Sequence, residues 1–85
     1  MGIDRVLSTE AFDKDVKGIR DASVIERIEK QVMKIIERPC SGKPLRYGMK
    51  NERTVYVKPY RLIYSVDGES LILLRFEHRK SVYRK

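Results

Sequence analysis

Two extended runs joined by Asp67-Gly68 constrain the fold more than any other feature of this 85-residue sequence. In residues 60–66 every second side chain is aromatic or aliphatic, which is the period of a strand that buries one face. Residues 71–76 are largely apolar on both faces, which is typical of a strand in the centre of a sheet. Because Asp-Gly is a strong signal for a two-residue hairpin turn, we predict that the two runs pair antiparallel.

The N-terminal half changes to a helical period. Ser8 or Thr9 can cap a first helix, in which apolar residues recur at helical spacing until about Gly18. A second helix is predicted to begin at residues 21–23, where Ser23–Glu26 fits the capping box of a helix N-terminus. Its apolar stripe runs to Arg38-Pro39, and the residue before a proline avoids the helical region.

Two more strands complete the predicted architecture. Residues 53–57 have a period of two, and Lys58-Pro59 separates them from the run that starts at residue 60. Residues 3–7 are short and partly β-branched, which indicates an N-terminal strand. We therefore predict one α+β domain over residues 1–85, in the order β-α-α-β-β-β. A two-helix hairpin packs on one face of a mostly antiparallel, curved sheet, and a short basic tail follows.

The formal net charge of +7 is concentrated in the C-terminal half. Residues 1–41 carry eight basic and eight acidic side chains, whereas residues 42–85 carry eleven basic and four acidic ones. This asymmetry indicates a polyanionic partner that meets one surface. With one histidine and one cysteine the chain offers no ligand set for a metal, and no motif for a cofactor is present. The single Cys40 and the lack of a long apolar run indicate a reduced, cytoplasmic protein with no membrane partner.

Three segments together resemble the RelE/ParE superfamily of small toxins from type II toxin–antitoxin pairs, closest to RelE-like mRNA interferases. They are Tyr60–Tyr64, the ending His78–Arg84, and Pro39 followed by Gly42–Arg46, in order and at suitable spacing. The resemblance covers essentially the whole chain. It implies an endoribonuclease that cuts mRNA in the ribosomal A site without a metal. It also implies a cognate RelB-like antitoxin, which wraps and neutralises the toxin in a hetero-oligomer.

The resemblance also implies where the functional residues lie. Metal-free cleavage requires the RNA 2′-OH to attack the adjacent phosphate while cations stabilise the crowded phosphorane, a task that suits the planar fork of arginine. Arg61 and Arg79 occupy the family's arginine positions, Tyr83 matches its terminal tyrosine, and Lys58 is the nearest candidate for its strand lysine. The expected RNA contacts are Lys43, Arg46, Arg53, His78 and Lys80.

One departure from the family leaves the mechanism open. RelE-like sequences often carry basic side chains at the two strand positions that Thr54 and Tyr56 occupy here. The proton acceptor is therefore unsettled among Lys58, His78 and Glu77. Two alternatives to a nuclease remain, a ParE-like inhibitor of DNA gyrase and a nucleic-acid-binding module without catalysis.

Overall fold

The computed structural model of the protein describes residues 2–39, 42–44 and 52–78, without the side chains of Lys43 and Pro44. The strands in this part of the chain form one sheet in the order β1-β5-β4-β3-β2. β1 lies parallel to β5, and every other neighbouring pair is antiparallel. The strands are β1 (Arg5–Ser8), β2 (Lys43–Pro44), β3 (Glu52–Val57), β4 (Tyr60–Asp67) and β5 (Ser70–His78).

The predicted α+β class and its order of elements are confirmed, with one addition. The two-residue β2 lies in a segment that the sequence predicts as a loop, and it pairs with Arg53 and Thr54 at the edge of the sheet. A proline can occupy such a strand because its missing N–H costs nothing at an edge.

Both helices begin at side-chain caps. α1 (Glu10–Lys17) is capped by Thr9, whose hydroxyl accepts a hydrogen bond from the Phe12 amide (3.0 Å) and donates one to the Leu74 carbonyl on β5 (2.8 Å). α2 (Ala22–Glu37) is capped by Asp21, whose carboxylate accepts from both the amide (2.9 Å) and the hydroxyl (2.7 Å) of Ser23. The predicted capping box at Ser23 is therefore wrong, because a carboxylate two residues earlier already holds the first turn.

The helices cover one face of the sheet, as predicted. Their buried side chains meet those of β4 and β5 in one hydrophobic core, where Leu62 and Tyr64 are completely buried. Arg61 alternates with them and therefore lies on the opposite, uncovered face. The core is formed by Phe12, Val24, Ile28, Ile35, Val57, Leu62, Tyr64, Leu71, Leu73 and Phe76.

The β4–β5 hairpin turns one residue later than its dipeptide signal suggests. Asp67 pairs with Ser70, so the turn residues are Gly68 and Glu69. Gly68 has a φ of 62°, which glycine adopts without strain, and no non-glycine residue in the described part of the chain has a positive φ. A glycine at the first turn position followed by a residue of negative φ is the pattern of a type II′ turn.

A β-bulge in the middle of this hairpin decides which side chains share a face. Tyr64 pairs with Leu73, but Ile63 pairs with Arg75, so Leu74 is an extra residue on β5. Strict alternation from Leu73 would direct Arg75 and residue 77 towards the helices. The extra residue reverses the alternation, so that Phe76 enters the core and its charged neighbours face the uncovered side.

Candidate functional site

Three polar side chains form a row across the uncovered face of the sheet. Tyr56 on β3 is the register partner of Arg61 on β4, and Arg61 is the register partner of Glu77 on β5. Partners in register on neighbouring strands lie on the same face with their Cβ atoms about 5 Å apart. The arrangement places a phenol, a guanidinium and a carboxylate side by side in the central part of the sheet.

Arg61 is held in this row without being fully paired. Its side chain is 21% exposed, and its Nε lies 3.8 Å from Glu77 Oε1, which is an ion-pair distance but too long for a hydrogen bond. The Arg61 Nε is buried and has no hydrogen-bond partner among the described residues. A buried donor without an acceptor costs about 1–3 kcal/mol, and such a cost is typical of positions retained for a ligand or for catalysis.

Glu77 is positioned by a second guanidinium. Its Oε2 lies 3.9 Å from Arg75 Nη1, so that the carboxylate is between two arginines. Arg75 in turn donates to Asp15 on α1 through Nε (2.8 Å) and Nη2 (3.2 Å). The result is a chain of alternating charges that runs from α1 to Arg61.

The contact with α1 changes the acid–base properties of both partners. Burial raises the pKa of Asp15, but hydrogen bonds from Arg75 and from the Phe76 amide, together with the Arg75 charge, outweigh it and leave the pKa below its usual value. The hydrogen bond to Asp15 raises the pKa of Arg75, against a smaller opposing effect of burial. Asp15 therefore stays ionised and fixes Arg75 beside the Glu77 carboxylate.

The register of the strands distinguishes the three candidate proton acceptors. Among Lys58, His78 and Glu77, the glutamate is the one in register with Arg61. His78 is in register with Tyr60 on the covered side, and their rings meet edge to face with centroids 5.2 Å apart. Lys58 lies in the turn between β3 and β4, where its carbonyl accepts a hydrogen bond from Arg27 Nη1 (2.8 Å).

The other predicted site residues stay predictions. Arg53 Nη1 donates to the Gly42 carbonyl (2.8 Å), which gives this side chain a structural role at the edge of the sheet. Lys43 lies in β2, and its side chain is outside the described atoms. Four more residues lie outside the described part of the chain, namely Arg46, Arg79, Lys80 and Tyr83.

From the sequence alone, Glu77 is one of several candidate acceptors and Tyr56 is a departure from the family. The bulge that brings Glu77 beside Arg61 has no signal in the residue pattern, whereas the register of Tyr56 follows from the Lys58-Pro59 turn. Within residues 2–39, 42–44 and 52–78, no cluster of three or more histidine, cysteine or acidic side chains is placed to hold a metal ion. No helix in the same residues has the length and apolar composition to cross a bilayer.

Fold and site thus define a small basic α+β protein that presents a guanidinium–carboxylate pair on an uncovered sheet. The sequence profile described as the ParE toxin of type II toxin–antitoxin system, parDE, matches residues 6–83. The chain therefore belongs to the ParE toxin family of type II toxin–antitoxin systems. Among curated proteins, no significant match is found.

Solved structures of toxins have the same fold. The RelB-RelE antitoxin–toxin complex from Methanococcus jannaschii matches with a TM-score of 0.73 and 26% identity, over 91% of this chain and 94% of that chain. The intact RelBE complex from E. coli matches with a TM-score of 0.75 and 22% identity, over 87% and 94%. The E. coli DinJ-YafQ complex matches with a TM-score of 0.71 and 21% identity, over 99% and 100%.

Proposed function

We propose that this toxin is an endoribonuclease that cuts mRNA in the ribosomal A site by metal-free attack of the 2′-OH. The observation that carries the proposal is the pair of Arg61 and Glu77 on the uncovered sheet face, with an Arg61 donor left unsatisfied. A phosphate group would supply the acceptor that the Arg61 Nε lacks among the described residues.

In the proposed reaction Glu77 accepts the proton of the 2′-OH while the 2′-oxygen attacks phosphorus in line. The P–O5′ bond breaks, which leaves a 2′,3′-cyclic phosphate on one product, and Tyr83 or water protonates the leaving 5′-oxygen. Arg61 donates to the non-bridging oxygens, on which negative charge accumulates in the phosphorane. Their 3.8 Å separation lets both side chains contact one nucleotide without having to break a short ion pair. Arg79 is proposed as the second phosphate ligand, and Tyr83 as a stacking partner for a base or a participant in proton transfer.

Mapping of transcript 5′ ends after induction tests this function. Wild-type toxin should produce new 5′ ends within translated transcripts, and Arg61→Ala should reduce cleavage by about 10²–10³-fold, the usual cost of one transition-state donor. Arg20→Ala, an exposed arginine in the connection between the helices, is the matched control and should cut like wild type. Cleavage at the wild-type rate by a folded Arg61→Ala protein would contradict the proposal.

A second candidate is a gyrase inhibitor that binds its target and cuts no RNA. One observation favours it: Thr54 is buried and its hydroxyl has no hydrogen-bond partner in the part of the chain that the structure describes, so this strand position presents neither a cation nor an accessible donor. In that case induction should cause DNA damage and leave transcripts intact. Binding of RNA that weakens steeply with salt and yields no product would instead identify a non-catalytic module.

We propose further that a RelB-like antitoxin is the protein partner. Two of the matching structures contain RelE bound to RelB. The edge strand β1 leaves Val6 44% and Leu7 46% exposed, an apolar edge that a partner could cover. Co-expression with the neighbouring open reading frame should yield a complex that co-purifies. A stable toxin that arrests growth equally with and without that neighbour would refute this partnership.

A further inference from the structure

The charges of α2 are segregated along the helix, although the N-terminal half as a whole is neutral. Its cations recur at spacings of three and four residues, which places them on one side of the helix. The acids Glu26 and Glu29 line a different surface, beside Ala22 and Ser23. The cationic side, which we call the α2 stripe, consists of Arg27, Lys30 and Lys34 on the helix and Arg38 at its C-cap.

The α2 stripe lines a groove between α2 and β3. The groove consists of two cavities of about 530 and 380 Å³ that share Gln31, Lys34 and Tyr56. Glu37 is the one carboxylate among the described residues that line it, and Lys58 lies at its far end. The ion pairs of the described residues all involve Arg61 or Arg75, so none of them uses a cation of the stripe. Arg27 does donate to the Lys58 carbonyl. Together with the hydrogen bonds from Ser23, its charge also helps to lower the pKa of Asp21.

Tyr56 connects this groove to the candidate catalytic row. It lines both cavities, its side chain is large and it is 41% exposed, and it is the register partner of Arg61. A ring in this position offers a stacking surface to a base whose phosphate lies at the neighbouring guanidinium.

We propose that the α2 stripe is a second RNA-binding surface, which holds the phosphates of the single strand that passes over Tyr56 to Arg61. Successive cations four residues apart on a helix are separated by about 6 Å along its axis, so the stripe follows an extended backbone over several phosphates. This inference rests on the proposed nuclease function and adds the path that its substrate takes.

An acidic protein segment is the competing occupant, and the groove favours it less. Protein interfaces are anchored by a central apolar cluster, with charged residues depleted there. In this groove Val57 is 3% exposed and already belongs to the core, while the cations of the stripe, Lys58 and the exposed Tyr56 lie along its lining. That combination is typical of grooves for single-stranded nucleic acid.

Binding of a short single-stranded oligonucleotide with 2′-O-methyl groups, which cannot be cut, tests the inference. Lys30→Gln/Lys34→Gln is compared with Lys14→Gln/Lys17→Gln, which removes the same charge from exposed positions on α1. Loss of two phosphate contacts should reduce the slope of log K against log salt by about 1.4 and weaken binding roughly 10- to 30-fold near 0.1 M salt. The α1 control should bind within about twofold of wild type, as expected of charges that contact no phosphate.

The outcomes separate this inference from the proposed function. If the α2 variant binds like the α1 control while wild type still cuts transcripts, the inference is overturned and the nuclease function stands. If the α2 variant loses affinity for the co-expressed antitoxin but not for RNA, the stripe is a protein-binding surface and the inference is wrong. If wild type neither binds the oligonucleotide nor cuts transcripts, the proposed function fails and the RNA path fails with it.

Discussion

The buried hydroxyl of Tyr64 gives a prediction whose magnitude follows from the structure. Tyr64 is fully buried, and its hydroxyl donates to the Pro39 carbonyl (2.9 Å) and accepts from the Gly42 amide (3.0 Å). Tyr64→Phe keeps the ring in the core and leaves both backbone groups unpaired. Each such group costs about 1–3 kcal/mol, so the free energy of unfolding should fall by about 2–6 kcal/mol. That is a large fraction of the roughly 4–13 kcal/mol expected for a domain of this size.

Urea unfolding of the purified toxin measures this loss. The transition midpoint should fall with an unchanged slope, and the melting temperature should fall by at least roughly 8 °C, since about 1 kcal/mol corresponds to 4–8 °C in small domains. Tyr60→Phe is the matched control, because Tyr60 lies on the same strand and packs against Phe76 with no hydroxyl hydrogen bond among the described contacts. It should change stability by less than about 0.5 kcal/mol. A loss below about 1 kcal/mol for Tyr64→Phe would show that water replaces the hydroxyl and would refute the reasoning.

Two further predictions concern the same packing and the contact with α1. Gly42→Ala should destabilise the fold, since its Cβ would lie 2.6 Å from the Tyr64 hydroxyl and 3.0 Å from the Thr54 carbonyl oxygen. Adding Tyr64→Phe should relieve the clash with the hydroxyl, so the double variant should lose less stability than the sum of the two single variants. Strictly additive losses of stability would contradict this contact. The pKa of Asp15 is lower in the folded protein than in the unfolded chain, where it is about 3.9. The ionised carboxylate therefore stabilises the fold fully above that pH, and this contribution is lost as the pH falls through the folded-state pKa. Asp15→Asn should therefore be less stable than wild type at pH 7 but should lose less stability on acidification. If urea unfolding gives the two proteins parallel profiles of stability against pH, the ionised Asp15 does not stabilise the fold.

Most of the fold could be predicted because each element has a local signal. The period of two over β4, the helical stripe of α2 and the stop at Arg38-Pro39 all follow from side-chain spacing and backbone sterics. The errors are also local: the cap of α2 lies at Asp21, and β2 forms where the residue pattern has no period. Two-residue strands depend on a neighbour to pair with, and this dependence is not visible in sequence spacing.

The candidate site was less predictable because it depends on a register change. Strict alternation correctly separates Arg61 from Leu62 and Tyr64, since all three lie on one uninterrupted strand. The neighbouring strand contains the bulge at Leu74, and its effect on facing is visible only when both strands are paired.

A net charge also conceals the α2 stripe. The formal charges of residues 1–41 sum to zero. A sum does not show on which side of a helix each charge lies, and in α2 the cations share one side. The cations of the α2 stripe line a groove between α2 and β3, and Tyr56 on β3 lies between the stripe and Arg61. Basic residues from both halves of the chain therefore lie along one groove and the neighbouring sheet, and the charge asymmetry of the sequence understates the cationic surface that the fold brings together.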